Sequence, residues 1–338
     1  MNSRNTTLNI VLVNNNTSIY AELAARSFFA MHGEREDIRF TIMDNSSQDE
    51  TTVLKAYAKS AAIDFRQSGL DATQTKVNSH GEVLRQFVMD NPECSYYLLL
   101  DADICFIKPN TVDTLIKELN EHNDIWAVQA RSRRATAPLF GPAPPTVRQD
   151  ISQYRNRELA DQKKLYLHCS TKPKPPTGTS TPWVEPPKIN VRELDEEGRR
   201  QPLTTLVGSP KPRCQPCCTL VRNTPVFRRV ADRIGFSSAW MFENAVEGAG
   251  IYDTMALMTA VMTTHQQVYL VSSCGVMHFW KVSYGLHEPT MDIKREQCQH
   301  LLEQYRRGMI PDFDGDRWMT SAYLAWCQRR EDYERKPG

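Results

Sequence analysis

The sequence predicts an α/β protein with a mostly parallel sheet covered by helices on both faces, and three observations predict it. Residues 8–100 alternate short apolar, β-branched runs with stretches of helical spacing, as strands joined by crossover helices do. The last of these runs, Tyr96-Tyr-Leu-Leu-Leu100, is almost continuously apolar, which suits a strand buried on both faces. Two carboxylates, Asp101 and Asp103, follow it directly, where ligands of open α/β sheets bind.

Each element follows from its local pattern. Leu8-Asn-Ile-Val-Leu-Val13 reads as the first strand, and 18–31 as a helix in which Ile19, Leu23, Ala24 and Phe28 are apolar. Ile38-Arg-Phe-Thr-Ile-Met43 alternates as a strand does. A polar turn begins at Asp44, 50–62 reads as the next helix, and Ile63-Asp-Phe65 as a short strand. Residues 81–90 read as helical because Val83, Leu84, Phe87 and Val88 share one face. Beyond Ala130 the texture changes: residues 131–213 hold 13 of the 20 prolines. So long a stretch without regular structure is unusual inside a domain. It is expected to be an insertion with short elements of its own, among them a helix over 149–164. The regular pattern returns with Thr219-Leu-Val-Arg222 as a strand, 225–234 and 253–264 as helices, and 267–272 as a strand. Two helical stretches in 291–334 carry Trp318, Tyr323 and Trp326. The expected organisation is a ligand-binding half (1–130), a Pro-rich insertion (131–213), a second half of the same domain (214–290) and C-terminal helices (291–338).

Composition narrows the partners. The chain has 338 residues, enough for one large domain or two modest ones. Its net charge of +1 offers no strong field to attract nucleic acid, and no nucleic-acid partner is expected. No apolar run approaches the ~18–20 residues of a membrane-spanning helix. Residues 8–13 are too few for a signal segment, and Asn14-Asn-Asn16 stop them. A cytoplasmic chain is expected, with contact at a membrane surface left open. Nine cysteines, an odd number in a chain too large to need disulfide staples, point to reduced thiols. Cys214, Cys217 and Cys218 cluster, and with Cys169 have a spacing at which thiolates hold structural Zn²⁺. Reduced structural thiols are the favoured reading of that cluster, and a redox pair is a third.

In Leu98-Leu-Leu-Asp101-Ala-Asp103, residues two apart on an extended segment point the same way, so the two carboxylates emerge together. They repel each other unless a cation joins them, and Mg²⁺ or Mn²⁺ would also hold a diphosphate. A solvated turn that happens to contain two Asp is the plainer alternative.

At this point the chain resembles the family 2 glycosyltransferases of the GT-A fold, a Rossmann-like sheet flanked by helices. The likeness covers about 1–130 and 214–285. It is carried in order by Asn14 after strand one, Ala25-Arg26-Ser27-Phe28, the turn Met43-Asp44-Asn45-Ser46-Ser47-Gln48-Asp49-Glu50-Thr51, Asn78-Ser79-His80-Gly81, and Asp101-Ala-Asp103. The resemblance implies a nucleotide-sugar donor. Asp44 would accept from the nucleobase with Asn14 and Arg66 nearby, His80 and Gly81 would let the chain approach the donor, Asp101 would contact ribose or sugar, and Asp103 would ligate the metal. For Asp44 the competing role is an Asx-turn, and for His80 a helix start.

Gly250-Ile-Tyr-Asp253-Thr254 opens a helical run. The resemblance implies a catalytic base there, Asp253, although Tyr252 stands where the family usually has a first acid. N-capping is the other use of Asp253. In Val276-Met-His278-Phe279-Trp280 the resemblance implies a metal or phosphate contact at His278, against a packed histidine. Trp280 and Tyr284 either stack on sugar or pack. The implied activity is inverting transfer of a sugar to an acceptor hydroxyl, the acceptor being a glycan, small molecule or protein. The alternatives are a zinc-stabilised interaction module or sugar binder on a degenerate fold and, ranked lower, a nucleotidyltransferase, whose Gly-rich loop Asn14-Asn-Asn-Thr-Ser18 is not.

Overall fold

The computed structural model describes residues 8–70, 79–134, 147–149, 188–194, 200–207, 214–233, 235–236, 254–255, 258–259, 262, 265–280, 282, 291–313 and 328. Strands β1 (Leu8–Asn14), β2 (Ile38–Asp44), β3 (Asp64–Gln67) and β4 (Tyr96–Asp101) alternate with helices α1 (Ser18–His32), α2 (Thr52–Ser60) and α3 (Ser79–Asp90), as expected. β3, β2, β1 and β4 lie side by side and parallel. No element was expected between Leu100 and Ala130, yet the chain forms β5 (Ile104–Phe106), α4 (Thr111–Asn120) and β6 (Ile125–Arg134) there. Val112, Leu115, Ile116 and Leu119 carry the i, i+3, i+4, i+7 signal of α4 in plain view.

The insertion contributes β7 (Val147–Gln149), which joins the main sheet beside the last strand, and a separate hairpin of β8 (Lys188–Leu194) and β9 (Arg200–Val207). Gln149, expected to open a helix, ends β7; residues 150–164 lie outside the described residues. Then come β10 (Cys218–Arg222), α5 (Pro225–Arg233), β11 (Val268–His278) and α6 (Met291–Arg306). Met258, Thr259 and Met262 of the expected helix 253–264 are helical, and Gln328 is the described helical residue of the second expected C-terminal stretch.

The main sheet runs β3-β2-β1-β4-β10-β6-β11-β5 and is mixed. β10 is antiparallel to both β4 and β6, whereas β6 and β11 are parallel to each other. Six of the nine strands therefore point one way, and stretches from both expected halves of the domain interleave in one sheet.

Both faces of the sheet are buried, which explains the near-continuous apolar strands. Val11 and Val13 of β1 and Tyr97 and Leu99 of β4 face a core closed by α3 and α5. Leu8, Ile10, Leu12, Leu98 and Leu100 face the opposite core, closed by α1, α2 and α4. Helix α6 packs outside α1, where Cys298, Leu301, Leu302 and Tyr305 meet Tyr20, Leu23 and Phe279. Glu22 of α1, buried, accepts from Arg26 at 2.8 Å and from Arg306 at 2.9 and 2.6 Å, tying the two helices. Among the described residues no helix is long and apolar enough to cross a membrane.

The sequence predicted a strand over 267–272 with His278 beyond it; β11 instead runs through to His278. Ser272-Ser-Cys274, where the expected strand ends, is a bulge: three residues of β11 stand against Ala130 alone between the pairs Val271↔Gln129 and Gly275↔Arg131. The bulge bends the sheet where bending is needed. Asp101 ends β4 and Ile104 begins β5, which pairs with β11 four places along the sheet. Three residues span at most about 11 Å, whereas four strand spacings in a flat sheet are about 19 Å. The C-terminal end of β11 must therefore curl back over the ends of β10 and β4.

Candidate active site

The curl gathers polar side chains at the C-terminal ends of β1, β2, β4, β6 and β11, the edge at which open α/β sheets bind ligands. Two groups form there.

The first joins β1 and β2. Parallel register places Asn14 beside Asp44, the last residues of their strands. Both are buried, and the Asn14 amide donates to Asp44 Oδ1 at 2.9 Å and lies 3.0 Å from Ser47 Oγ. The turn after Asp44 does structural work as well. Asp49 accepts from the Ser18 amide and hydroxyl at 2.8 and 3.0 Å, capping the start of α1 from a distance, and no side chain of Thr17 does so. Asn45 accepts from Ser68 and donates to Ser79 at 2.9 Å, which fixes the start of α3 against the turn. Arg66 lies on the neighbouring strand at the position paired with Met43, and its guanidinium is ion-paired with Asp64. The structure thus joins Asn14 and Asp44 to each other, and Arg66 to a different carboxylate.

The second group is the candidate metal centre. One ligand atom each of Asp101, Asp103 and His278 lie within 4.8 Å of one another. His278 Nε2 is 3.0 Å from Asp103 Oδ1 and 3.9 Å from Asp101 Oδ2. Ligands about 2.1 Å from one octahedral ion stand roughly 3 Å apart when adjacent and 4.2 Å apart when opposite. The separations of His278 from Asp103 and Asp101, 3.0 and 3.9 Å, fall within that range, as for ligands that share one cation. Backbone bonds fix the geometry: Phe279 N donates to Asp103 O at 2.9 Å, and Asp101 N to Cys217 O at 3.2 Å. On its far side His278 Nδ1 meets Ser132 Oγ at 3.0 Å, a contact no sequence motif signals. A hydroxyl there can accept a hydrogen bond from Nδ1–H and leave Nε2 as the ligand, the usual outer-shell arrangement for metal-binding histidine.

His80, at the start of α3, reaches the same place from the other face: its Nε2 is 3.7 Å from Asp101 Oδ1 and its Nδ1 3.4 Å from Thr254 Oγ1. Gly81 is buried beside it. Asp101 thus lies between two imidazoles.

The electrostatics separate these groups. Burial pushes the Asp101 carboxyl above the usual carboxylate range, with His80 and His278 pulling against it and Asp103 adding to it. Burial acts on Asp103 in the same sense, but the charge and hydrogen bond of His278 outweigh it and hold Asp103 below its usual range. For His278, burial opposes the charged ring, yet Asp103 and Asp101 raise it above the ordinary histidine value. Burial prevails at His80 and lowers it. Asp103 and His278 therefore share a charge that a divalent cation would supply in place of the imidazole proton.

The cysteine cluster does not form a zinc site among the described residues. Cys214 packs in the core beneath α3 and α5, Cys218 in the core on the other side of the sheet, and Cys217 Sγ approaches the Gln129 amide at 3.9 Å. Only Cys218 lies in β10, Cys214 and Cys217 precede it, and Cys214 and Cys218 pack on opposite faces of the sheet, so the three thiols do not converge. Zinc has no support here; these cysteines are free, and burial pushes the thiols of all three well up. Cys169 and Asp253 lie outside the described residues.

No family model matches the chain, and no curated protein matches it. Glucosyl-3-phosphoglycerate synthase from Mycobacterium tuberculosis, in complex with Mn²⁺, UDP and glucosyl-3-phosphoglycerate, is similar with a TM-score of 0.31 and 18% identity, over 38% of this chain and 44% of that chain. The same synthase with Mg²⁺ and UDP gives 0.30 and 19%, over 38% and 44%. A mannosyltransferase from Pyrobaculum calidifontis, in complex with GDP-Man and Mn²⁺, gives 0.32 and 14%, over 39% and 37%. The chain thus spans less than half the length of these solved structures. At such identities and scores the likeness bears on neither substrate nor mechanism, for which the geometry of the site itself must speak.

Proposed function

We propose that the chain is a divalent-metal-dependent glycosyltransferase that moves a sugar from a nucleoside-diphosphate sugar to an acceptor hydroxyl, with inversion. One observation carries the reading: Asp101, Asp103 and His278 converge on one cation position at the sheet edge that also holds the buried Asn14–Asp44 pair. The Asp101, Asp103 and His278 trio suits a phosphate-bridging ion, and the Asn14–Asp44 pair the hydrogen-bonding edge of a base.

In this reading the Asn14 amide holds one oxygen of Asp44, and the carboxylate accepts from the base. His80 and Gly81 line the approach of the donor, and Asp101 meets its ribose or sugar. Asp103 and His278 hold Mn²⁺ or Mg²⁺, which, when bound, offsets the charge of the departing nucleoside diphosphate. Ser132 keeps the ring of His278 turned toward that position. Asp253 takes the acceptor proton as its oxygen attacks the anomeric carbon from the face opposite the leaving group, help typically worth ~10²–10⁴-fold. That role rests on the family resemblance alone. Acceptor choice belongs to residues 131–213.

The test is a panel of UDP-, GDP- and dTDP-sugars with Mn²⁺, scored by thermal shift and by slow donor hydrolysis. One nucleotide class should stabilise the protein only with metal present. The absence of both binding and hydrolysis across the whole panel would remove the reading.

A further inference from the structure

The imidazole of the candidate metal centre sits on the last residue of a strand, since β11 ends at His278. Strand ends are where pairing frays first. One further bond, Phe279 N to Asp103 O at 2.9 Å, ties this end to the second carboxylate of the centre. Beyond it the extended conformation stops. Trp280 has φ +60°, the left-handed region that a bulky side chain rarely adopts, so neighbouring contacts must hold it there. Lys294 of α6 makes such a contact: its ammonium donates to the Trp280 carbonyl at 2.7 Å. The Phe279 ring, between the two residues, packs edge-on against Tyr20 of α1 at 5.2 Å.

A lysine is an unfavourable residue at this place. Lys294 is 7% exposed, although lysine is almost never buried without a partner. It stands near the N-terminus of α6, the end at which the helix dipole opposes a positive charge. An apolar side chain of similar volume would pack there at lower cost. The ammonium instead makes a charge-assisted bond to a carbonyl two residues from His278. The helix is a firm anchor for that bond. Ile293, Cys298, Leu301 and Leu302 are buried along it, and Arg306 at its other end bonds the buried Glu22 of α1. The charge of Lys294 also reaches the centre, helping to hold the Asp103 carboxyl down and opposing the charged form of His278.

We infer that Lys294 is a positioning residue of the metal centre: by holding the Trp280 carbonyl it clamps the end of β11, so that His278 keeps its bearing on Asp103. The C-terminal helix α6 is thereby part of the site, at a residue that no motif marks. The inference rests on the metal-dependent reading and deepens it.

The experiment uses the full chain with Lys294→Met, which keeps the length of the stem and removes the donor, and Lys294→Arg, which keeps a charged donor. Leu54→Ala, in buried packing of α2, is the control for lost stability away from the centre. Thermal melts establish that all three are folded. The first readout needs no metal: hydrogen exchange at the Phe279 amide, whose bond to Asp103 O the clamp protects. In Lys294→Met its protection should fall by about tenfold or more, while the Leu270 amide farther back along β11 keeps its own. The second readout is affinity for Mn²⁺ alone, followed by the EPR signal of the free ion. Removing a positive charge beside a cation would by itself tighten binding. Lost positioning has the opposite sign, and Lys294→Met should bind Mn²⁺ about tenfold more weakly, as outer-shell losses do. Lys294→Arg should recover most of the loss, and Leu54→Ala should bind as the wild type does. Unchanged protection of Phe279 in folded Lys294→Met overturns the inference, as does equal or tighter Mn²⁺ binding. A Lys294→Arg variant as weak as Lys294→Met, or an equal loss in Leu54→Ala, overturns it too. If the wild type takes up no Mn²⁺, the metal-dependent reading fails, and exchange at Phe279 still decides whether Lys294 clamps the strand.

Discussion

Replacing Ser132 with alanine isolates the outer support of the candidate metal centre. The hydroxyl lies 3.0 Å from His278 Nδ1. Once a cation occupies Nε2 the proton must sit on Nδ1, and without Ser132 Oγ it loses its acceptor. An unmet buried donor costs about 1–3 kcal/mol, and outer-shell losses typically cost 10–100-fold in metal affinity, or about 1.4–2.8 kcal/mol. The two ranges agree. His278 is 5% exposed, which argues for the upper part; Ser132 is only half-buried, so water can enter the space its oxygen leaves, which argues for the lower. The expected loss is on the order of tenfold. Calorimetric titration with Mn²⁺ in the presence of nucleoside diphosphate measures it, with Ser132→Thr as the variant that keeps a hydroxyl. Threonine should recover most of the affinity. Equal affinity for Ser132→Ala and wild type, or a threonine variant weaker than the alanine one, would refute the orienting role.

Asp103→Ala should abolish metal-dependent nucleotide binding in thermal-shift titrations, and retained binding would remove Asp103 from the centre. The Glu22 carboxyl lies below its usual range because, although burial raises it, Arg306 and Arg26 lower it more. A depressed acid gives stability that is fully present above its unfolded pKa and fades as pH falls through its folded one. Glu22→Gln should therefore melt lower than wild type at pH 7, by on the order of 2 kcal/mol given the half-exposed Arg306, and the gap should narrow toward pH 3; a gap that does not change with pH would sink the argument. Phe28→Ala empties the centre of an aromatic group formed with Phe29, Phe40, Phe106 and His32 and should cost about 3–5 kcal/mol in a denaturant titration. A cost below about 1 kcal/mol would mean that the space closes.

Local pattern made the parallel half legible. Alternating apolar runs in 8–100 are strands because both sheet faces are covered, and Asp44 and Asp101 could be recognised as strand ends from the polar residues that follow. The pairing of Asn14 with Asp44 needed only parallel register. The meeting of Asp103 with His278 is implied by the family resemblance and not by local pattern, since it depends on the bulge at 272–274, where the expected strand stops short. Ser132 carries no signal, because nothing in a sequence says which hydroxyl will face an imidazole 146 residues away. The cysteine pattern reads first as reduced structural thiols, and Cys214, Cys217 and Cys218 are free and buried; the zinc alternative finds no site, because Cys214 and Cys218 pack in opposite cores.

The place of β10 in the sheet has a consequence for how the chain is made. β4 and β6 do not touch; their shared neighbour is residues 218–222, which arrive after the whole Pro-rich segment. Until then the facing edges of β4 and β6 are unsatisfied, the first of them belonging to the continuous apolar run Tyr96–Leu100. Such edges are templates for mispairing with other chains, and closing a loop of this length is slow relative to local folding. The completing strand is also the one whose preceding residue, Cys217, anchors the Asp101 backbone. A chain interrupted before it would carry the acidic motif without the bond that positions it, so truncations ending before 214 should be insoluble rather than merely inactive.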